Sequence, residues 1–241
     1  MKLSCSTRGN HALTRTDVAV IVLVMIVLIV WLLPSLSLLH DGRMRVSCPS
    51  NLQQVNLACL LWAGDNNNRY PMEISVTNGG AKEFMDGVNA WKAFQILSNE
   101  LATSKILICP QDVERKFAAT NFADDLKNKI SYFIAVDANA GNSKVLLTGD
   151  DNFLIGGTPV KSGLINLISN MPTEWNSTRH PAGKTHFWTP RRNRNAGNIG
   201  LGDGIVRQWN SDELHQAIRQ TGLATNRLAI PQFAFHFPRL K

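Results

Sequence analysis

The histidines, which most often carry acid–base or metal chemistry near neutral pH, are few in this sequence and widely spaced. The histidines lie at positions 11, 40, 180, 186, 215 and 236. Only His180 and His186, with Asp203 farther along, form a set that a fold could bring together. Histidines this scattered serve more often as surface or hydrogen-bonding groups than as a catalytic pair. They do not by themselves predict an active site.

The motifs of the common enzyme classes are also missing. The sequence contains no H-E-x-x-H, no G-x-S-x-G, no G-x-x-x-x-G-K and no G-x-G-x-x-G that opens a helix. Each of these motifs fixes a metal, a nucleophile or a phosphate beside the groups that act on it. We therefore predict that the protein is not an enzyme.

Two acidic segments are candidates for a cation site. Asp65, Asn67 and Arg69 begin like a calcium loop, but the sixth position lacks glycine and no acid follows in register. Asp150 and Asp151 are adjacent acids after a predicted strand and could bind a cation. Paired acids in a turn are more often hydrated or act as caps. We predict no metal, with Asp150 and Asp151 as the weak alternative.

The four cysteines show no metal-binding spacing. There is no C-x-x-C and no Cys/His pattern that would indicate zinc. Cys48 and Cys59 are 11 residues apart, about 16 Å along a single helix, so they cannot bond each other there. A disulfide between Cys48 and Cys109 in an oxidising compartment is one alternative, and buried thiols at Cys48, Cys59 and Cys109 are the other.

The most prominent predicted element is an apolar segment from Ala12 to Leu39. Residues 18–33 include no polar side chain, and with residues 34–39 the run reaches 22 residues, or about 33 Å as a helix. This length predicts a membrane-spanning helix. The basic residues that precede the run favour a cytoplasmic N-terminus and an exported body; they are Lys2, Arg8 and Arg15.

The periodicity after this segment predicts one more stretch of helix and then strands. Apolar residues three or four apart over residues 51–63 predict an amphipathic helix that ends at the Gly-Asp-Asn-Asn-Asn turn. Further helices are predicted at residues 90–101 and 211–220, and strands at 105–109, 131–137, 144–148, 198–201 and 205–209. The predicted fold class is α+β, a long N-terminal helix, with a break considered near Pro49, packed on a small antiparallel sheet.

The net charge of +7 does not indicate a nucleic-acid-binding protein. The basic residues are spread singly along the chain, and the densest cluster, at residues 191–194, contains only three. A nucleic-acid footprint would be a longer basic stripe with aromatic platforms. We predict a solvated basic surface and no nucleic-acid partner.

The N-terminal segment resembles the class III signal of type IV prepilins and type II secretion pseudopilins. In that family a small residue precedes the cleavage site, a hydrophobic residue begins the mature chain, and an acid occupies the fifth mature position. Cleavage after Ala12 would make Leu13 the first mature residue and Asp17 the fifth. Pro34 then falls where the family commonly kinks its helix. Arg15 departs from the pattern, since the third mature residue is generally apolar.

Later landmarks extend this resemblance over about half of the chain. They are CPSNLQQVNLACLLWAGDNNNRYP, KILICPQD, LLTGDDN and NAGNIGLGDGIVRQW. The last is similar to a C-terminal signature of a His, nine residues and Asp-Gly, with Asn193 in place of the His and the Asp-Gly pair at Asp203 and Gly204. That pair predicts a tight hairpin turn with a structural role. Some pseudopilins bind calcium, which is the cation the resemblance suggests at Asp150 and Asp151.

The resemblance implies a structural subunit rather than a catalyst. It implies a leader at residues 1–12, a transmembrane and filament-core helix at 13–39, an amphipathic continuation at 40–66, and an extracytoplasmic α+β domain at 67–241. Its implied partners are a prepilin peptidase that also methylates Leu13, other pseudopilin subunits, and the inner membrane. Asp17 would neutralise the terminal amine of a neighbouring subunit. The alternative is an unprocessed single-pass membrane-anchored extracytoplasmic binding or matrix protein.

Overall fold

The computed structural model describes residues 15–85, 89–115, 117–123, 126–160, 162–176 and 196–231. Within the first helix, side chains are described for residues 15–30 and 48–65. The predicted cleavage residues Ala12 and Leu13, the signature position Asn193, and His180 and His186 lie outside the described residues. The chain divides into two compact units, Met1–Gly42 and Arg43–Lys241.

The first helix, α1, runs without interruption from Arg15 to Asp65. Pro34 and Pro49 both lie inside it, so the break considered near Pro49 does not occur. An asparagine cluster ends the helix, because Asn67 and Asn68 each adopt φ of 56°. Asparagine tolerates this left-handed conformation better than most residues do.

The described residues do not include the membrane anchor predicted from the sequence. Across the part of the chain that the structure describes, no helix is long and apolar enough to cross a membrane. The predictions of a membrane-spanning helix and of a single-pass inner-membrane location are therefore wrong.

The second unit is built on a six-stranded sheet in which every pairing is antiparallel. The strand order is β5-β9-β1-β2-β7-β8. A second sheet of three short antiparallel strands has the order β4-β3-β6. The strands are β1 (Tyr132–Ala135), β2 (Leu146–Asp150), β3 (Phe153–Ile155), β4 (Thr158–Pro159), β5 (Gly163–Leu167), β6 (Thr173–Trp175), β7 (Ala196–Leu201), β8 (Val206–Asn210) and β9 (Asn226–Ile230).

Two short α-helices and several 3₁₀ turns complete this α+β unit. The helices are α2 (Trp91–Ile96) and α3 (Ser211–Gln220), and the 3₁₀ turns are Pro71–Glu73, Val76–Asn78, Lys82–Phe84, Leu97–Asn99 and Ser104–Leu107. A capping box starts α3, since Asn210 and Glu213 exchange side-chain to backbone hydrogen bonds. The strand predicted at residues 105–109 is wrong. The Thr103 side chain instead accepts from the Lys105 N–H and begins a 3₁₀ turn.

The last part of α1 packs its apolar stripe into the core of the second unit. Leu52, Val55 and Cys59 are fully buried, three or four residues apart as one helix face requires. Leu57 and Leu61, on the other side of the helix, are about half exposed. The predicted amphipathic helix is therefore present, and it forms the end of α1.

Candidate functional site

The first part of α1 presents apolar side chains in every direction. All residues from Arg15 to Val30 are exposed, and the large apolar ones from Val18 to Val30 retain 45 to 63% of their accessible surface. Successive residues of an α-helix are rotated by about 100°. An unbroken run of thirteen therefore leaves no polar face, and we call residues 18–30 the apolar collar.

Asp17 stands at the start of the collar, in the first turn of α1. A carboxylate there interacts favourably with the positive end of the helix dipole. The second predicted assembly residue, Pro34, lies within α1, but its side chain is outside those described. The structure thus provides the location of Asp17 relative to the collar and leaves its proposed partner, a neighbouring terminal amine, as a prediction.

The β7–β8 hairpin contains the predicted Asp203 and Gly204 turn. Gly204 has φ of 84°, which favours glycine, and its N–H donates to the Leu201 carbonyl at 2.9 Å. The Asp203 carboxylate accepts from the Ile205 N–H at 3.0 Å. These contacts are those of a turn, so Asp203 and Gly204 shape the hairpin.

Polar residues of α1 hold this hairpin from the helix side. The Gln53 amide donates to the Gly204 carbonyl at 2.7 Å and accepts from the Val206 N–H at 3.2 Å. Asn56, which is fully buried, donates to the Leu201 carbonyl at 3.1 Å and accepts from the Thr148 hydroxyl at 2.5 Å. The junction between α1 and the hairpin is therefore fixed by hydrogen bonds as well as by packing.

Glycine permits the close approach at this junction. A Cβ added at Gly200 would clash with the Asn56 side chain, and one added at Gly204 would meet Leu60 Cδ1. The sequence gives a partial signal for the junction, because the Asn-Leu-Gln block and the Gly-rich hairpin are both landmarks. Their mutual contact was not predicted.

A disulfide joins the buried part of α1 to the segment that follows the Ser104–Leu107 turn. Cys48 and Cys109 are bonded with their Cα atoms 4.9 Å apart. Of the two alternatives left open by the sequence, the structure contains this bridge. Cys59 remains a buried thiol, and burial, with the nearby Glu100 carboxylate, raises its pKa to about 12. It is therefore a core residue rather than a reactive cysteine.

The acids considered for calcium bind protein groups instead. Asp150 accepts from both the backbone N–H and the side-chain amide of Asn198, each at 2.8 Å. Asp151 receives the Arg115 guanidinium at 2.8 and 3.2 Å. Both acids are completely buried. No three His, Cys, Asp or Glu residues within the described ranges could hold a metal ion together.

Arg115 bridges two buried carboxylates in this cluster. It contacts Asp151 and also Asp112, whose Oδ2 lies 3.0 Å from Nη1. Ser131 donates a further hydrogen bond to Asp112 at 2.8 Å. Sequence reasoning missed Arg115 because it lies in a charged segment with no periodicity. Asp112, the acid that ends the KILICPQD landmark, was the one available signal for this network.

A further histidine, His215, makes a structural hydrogen bond. His215 Nε2 accepts from the Thr173 N–H at 3.2 Å, which ties α3 to β6.

Comparisons with known proteins add no relative to this description. No protein-family model matches the chain, and no curated protein or solved structure matches it.

Proposed function

We propose that this chain is a pseudopilin-like structural subunit that assembles through the apolar collar of α1. The observation that carries the proposal is the unbroken exposed apolar surface of residues 18–30. An α-helix that is apolar on all sides is characteristic of positions covered by other apolar surface. The chain's own apolar core is formed by the second unit, so we assign the cover to the collars of other copies.

Simple magnitudes favour several neighbours over one. Twelve large apolar side chains of the collar are each about half exposed, so covering them completely would contribute about 1 kcal/mol apiece, or ~10 kcal/mol in total. Association costs about 4 to 15 kcal/mol in lost freedom. A single neighbour covers only one side of a helix, and its contribution would fall short. Packing within a multi-helix core covers all sides.

The position of Asp17 supports a role in such a core. Once residues 1–12 are removed by a prepilin peptidase, the amine of Leu13 would begin the chain four residues before this acid. Asp17 would then pair with the terminal amine of an adjacent subunit. Removing one partner of a buried ion pair typically costs about 3 to 5 kcal/mol.

The test is assembly of the full chain, processed by a prepilin peptidase, measured by sedimentation and electron microscopy. We expect polymers from the unaltered chain and loss of polymers with Val24→Asp and with Asp17→Ala. Val76→Asp is the matched control, because Val76 is an exposed valine of the second unit. Polymers formed equally well by Val24→Asp would refute the proposal.

A second measurement separates processing from packing. Intact-mass analysis of the assembled chain should give a product that begins at methylated Leu13. A chain that polymerises while it retains residues 1–12 would keep the assembly proposal and refute the assignment of the peptidase as a partner.

A further inference from the structure

A cleft of about 390 Å³ lies beside the larger sheet. Its apolar walls are Met72, Met85, Val136 and Leu164. Both methionines are buried, whereas Leu164 is 37% exposed. Methionine side chains adapt to varied shapes because they are unbranched and polarizable. This apolar wall can therefore accommodate apolar side chains of different shapes.

The rest of the cleft lining is mainly cationic. It consists of Arg69, Lys82 and Arg227, with Glu73 as its acid. The Glu73 carboxylate already accepts from the Tyr70 N–H at 2.7 Å. Arg227 is paired with Asp137, just outside the lining. With Asp137 included, three cations face two engaged carboxylates, so an additional carboxylate would complement the cleft.

The exposed cations retain donors for such a carboxylate. A guanidinium has five N–H donors and an ammonium has three. Arg69 uses one donor on the Glu73 carbonyl, at 2.8 Å. Arg227 directs Nε and Nη2 at Asp137, and its Nη1 has no described bond to that acid. A carboxylate can therefore be added without displacing the internal contacts.

Strand β5 brings a sheet edge to the same cleft. It pairs with β9 along its whole length, from Gly163 to Leu167, and stands at the end of the strand order. Among the described strands, none pairs with its other side. Its sequence, GLINL, contains no charge and no proline. Natural edge strands usually carry such residues to prevent pairing with other chains.

The register links the edge to both parts of the cleft. Leu164 lies opposite Ala229, and Asn166 lies opposite Arg227. Residues two apart on a strand share a face. A strand added to β5 could thus direct one side chain toward Leu164 and the next on that face toward Arg227 and the other cations.

We propose that β5 and the adjoining cleft form a docking site for an extended segment of a partner polypeptide. The segment carries an apolar residue and an acidic residue two positions apart, so that both face the cleft. Backbone hydrogen bonds to β5 provide affinity, and the two side chains provide specificity. This surface belongs to the second unit, and the proposal does not depend on assembly through the collar.

The probe is a fluorescently labelled peptide with the sequence threonine–valine–threonine–glutamate, repeated twice. Its binding to the full chain in mild detergent is measured by anisotropy. We expect saturable binding, about fivefold weaker in Lys82→Glu. A second peptide with lysine in place of glutamate should instead bind Lys82→Glu more tightly than the unaltered chain. Lys127→Glu is the matched control, with the same charge change on an exposed residue outside the cleft lining.

Backbone methylation tests whether the peptide binds as a strand. Two peptides are methylated on alternate amides, one along each edge of the extended chain. Strand addition predicts that one retains binding and the other loses it. Equal binding of both, equal weakening by Lys82→Glu and Lys127→Glu, or no saturable binding up to about 1 mM would overturn the proposal. Pairing of β5 with β5 of a second copy, seen as a dimer that excludes the peptide, would also overturn it.

Discussion

The two ends of α1 are both rich in apolar residues, but they differ in what those residues contact. Residues 48–65 place one stripe in the core of the second unit, where Leu52, Val55 and Cys59 are fully buried. Residues 18–30 have no stripe, because every position is exposed and none is polar. One helix thus contains a segment whose apolar side chains are buried by the rest of the chain and a segment whose apolar side chains stay exposed within the part of the chain described.

The two ends of α1 also differ in their polar residues. In the buried end, polar residues lie between those of the apolar stripe. Two of them, Gln53 and Asn56, hydrogen-bond to the β7–β8 hairpin and fix its position. Such contacts define a single register with the sheet. The collar has no polar group that could specify a register in this way.

A valine-to-aspartate substitution should have its most different effects on stability at the two ends of α1. Val55→Asp buries a charge in the core and should lower the free energy of unfolding of the second unit by about 5 kcal/mol. Val24→Asp should leave that free energy within about 0.5 kcal/mol, because Val24 is about half exposed. Urea unfolding followed by near-ultraviolet circular dichroism measures both. Equal destabilisation would show that the collar is part of the folded core.

The disulfide should have the next largest effect, and only on the buried end. Cys48 and Cys109 are separated by 61 residues, and a loop of that size corresponds to about 4 kcal/mol in the chain-entropy description. The double variant Cys48→Ser with Cys109→Ser should unfold at a correspondingly lower urea concentration. Reductant should shift the unaltered chain and leave the double variant unchanged. A reductant-sensitive double variant would contradict this assignment.

Arg115 allows a test of charge burial within the second unit. Arg115→Met leaves Asp112 and Asp151 without their shared cation and should cost about 3 kcal/mol. Adding Asp151→Asn removes one of the two buried negative charges and should recover part of the loss. Chemical denaturation of the three proteins measures the coupling. Equal stability of the single and double variants would mean that the pairing with Asp151 contributes little.

Asn56 tests the hydrogen bonds that distinguish the buried end from the collar. Asn56→Ala leaves the Leu201 carbonyl and the Thr148 hydroxyl without this partner and should cost about 2 kcal/mol. Gln53→Ala, at the more exposed edge of the junction, should cost about 0.5 kcal/mol. Thermal unfolding of both variants gives the order. The reverse order would place the main support of the hairpin at Gln53.

Cys59 provides a pH signature of the buried end. Its pKa rises from the ordinary 9.0 to about 12 on burial, so the folded protein keeps a proton that the unfolded chain loses above pH 9. Stability should therefore decline from pH 9 toward pH 12, by about 1 kcal/mol at pH 10. Cys59→Ala should remove that part of the decline. An identical pH dependence in both proteins would contradict the burial of the thiol.

Local signals were sufficient to predict much of the second unit. The Asn-rich stop, the Asp-Gly turn and the capping residues of α3 each act over a few residues, and the structure has α1 ending at Asp65, the β7–β8 hairpin and α3 at Ser211–Gln220. Strand β9 and the three-stranded sheet were not predicted. They depend on partners distant in sequence, and β3, β4 and β6 are only two or three residues long.

The sites were harder to predict than the elements. Arg115 lies in a charged stretch that resembles a solvated loop, and its burial requires Asp112 and Asp151 to converge from separate segments. The cleft draws on residues from Arg69 to Arg227. The apolar length at the N-terminus favoured a membrane span. No described helix meets that requirement.

Cross-linking along α1 tests the central claim most directly. Ile21 and Met25 are replaced singly by cysteine in the full chain lacking Cys5 and Cys59, with Val76→Cys as the reference position. Assembly through the collar predicts rapid disulfide-linked subunits at Ile21 and Met25 and few at Val76. Equal cross-linking at all three positions, or linkage only at Val76, would contradict the assignment of the collar as the assembly surface.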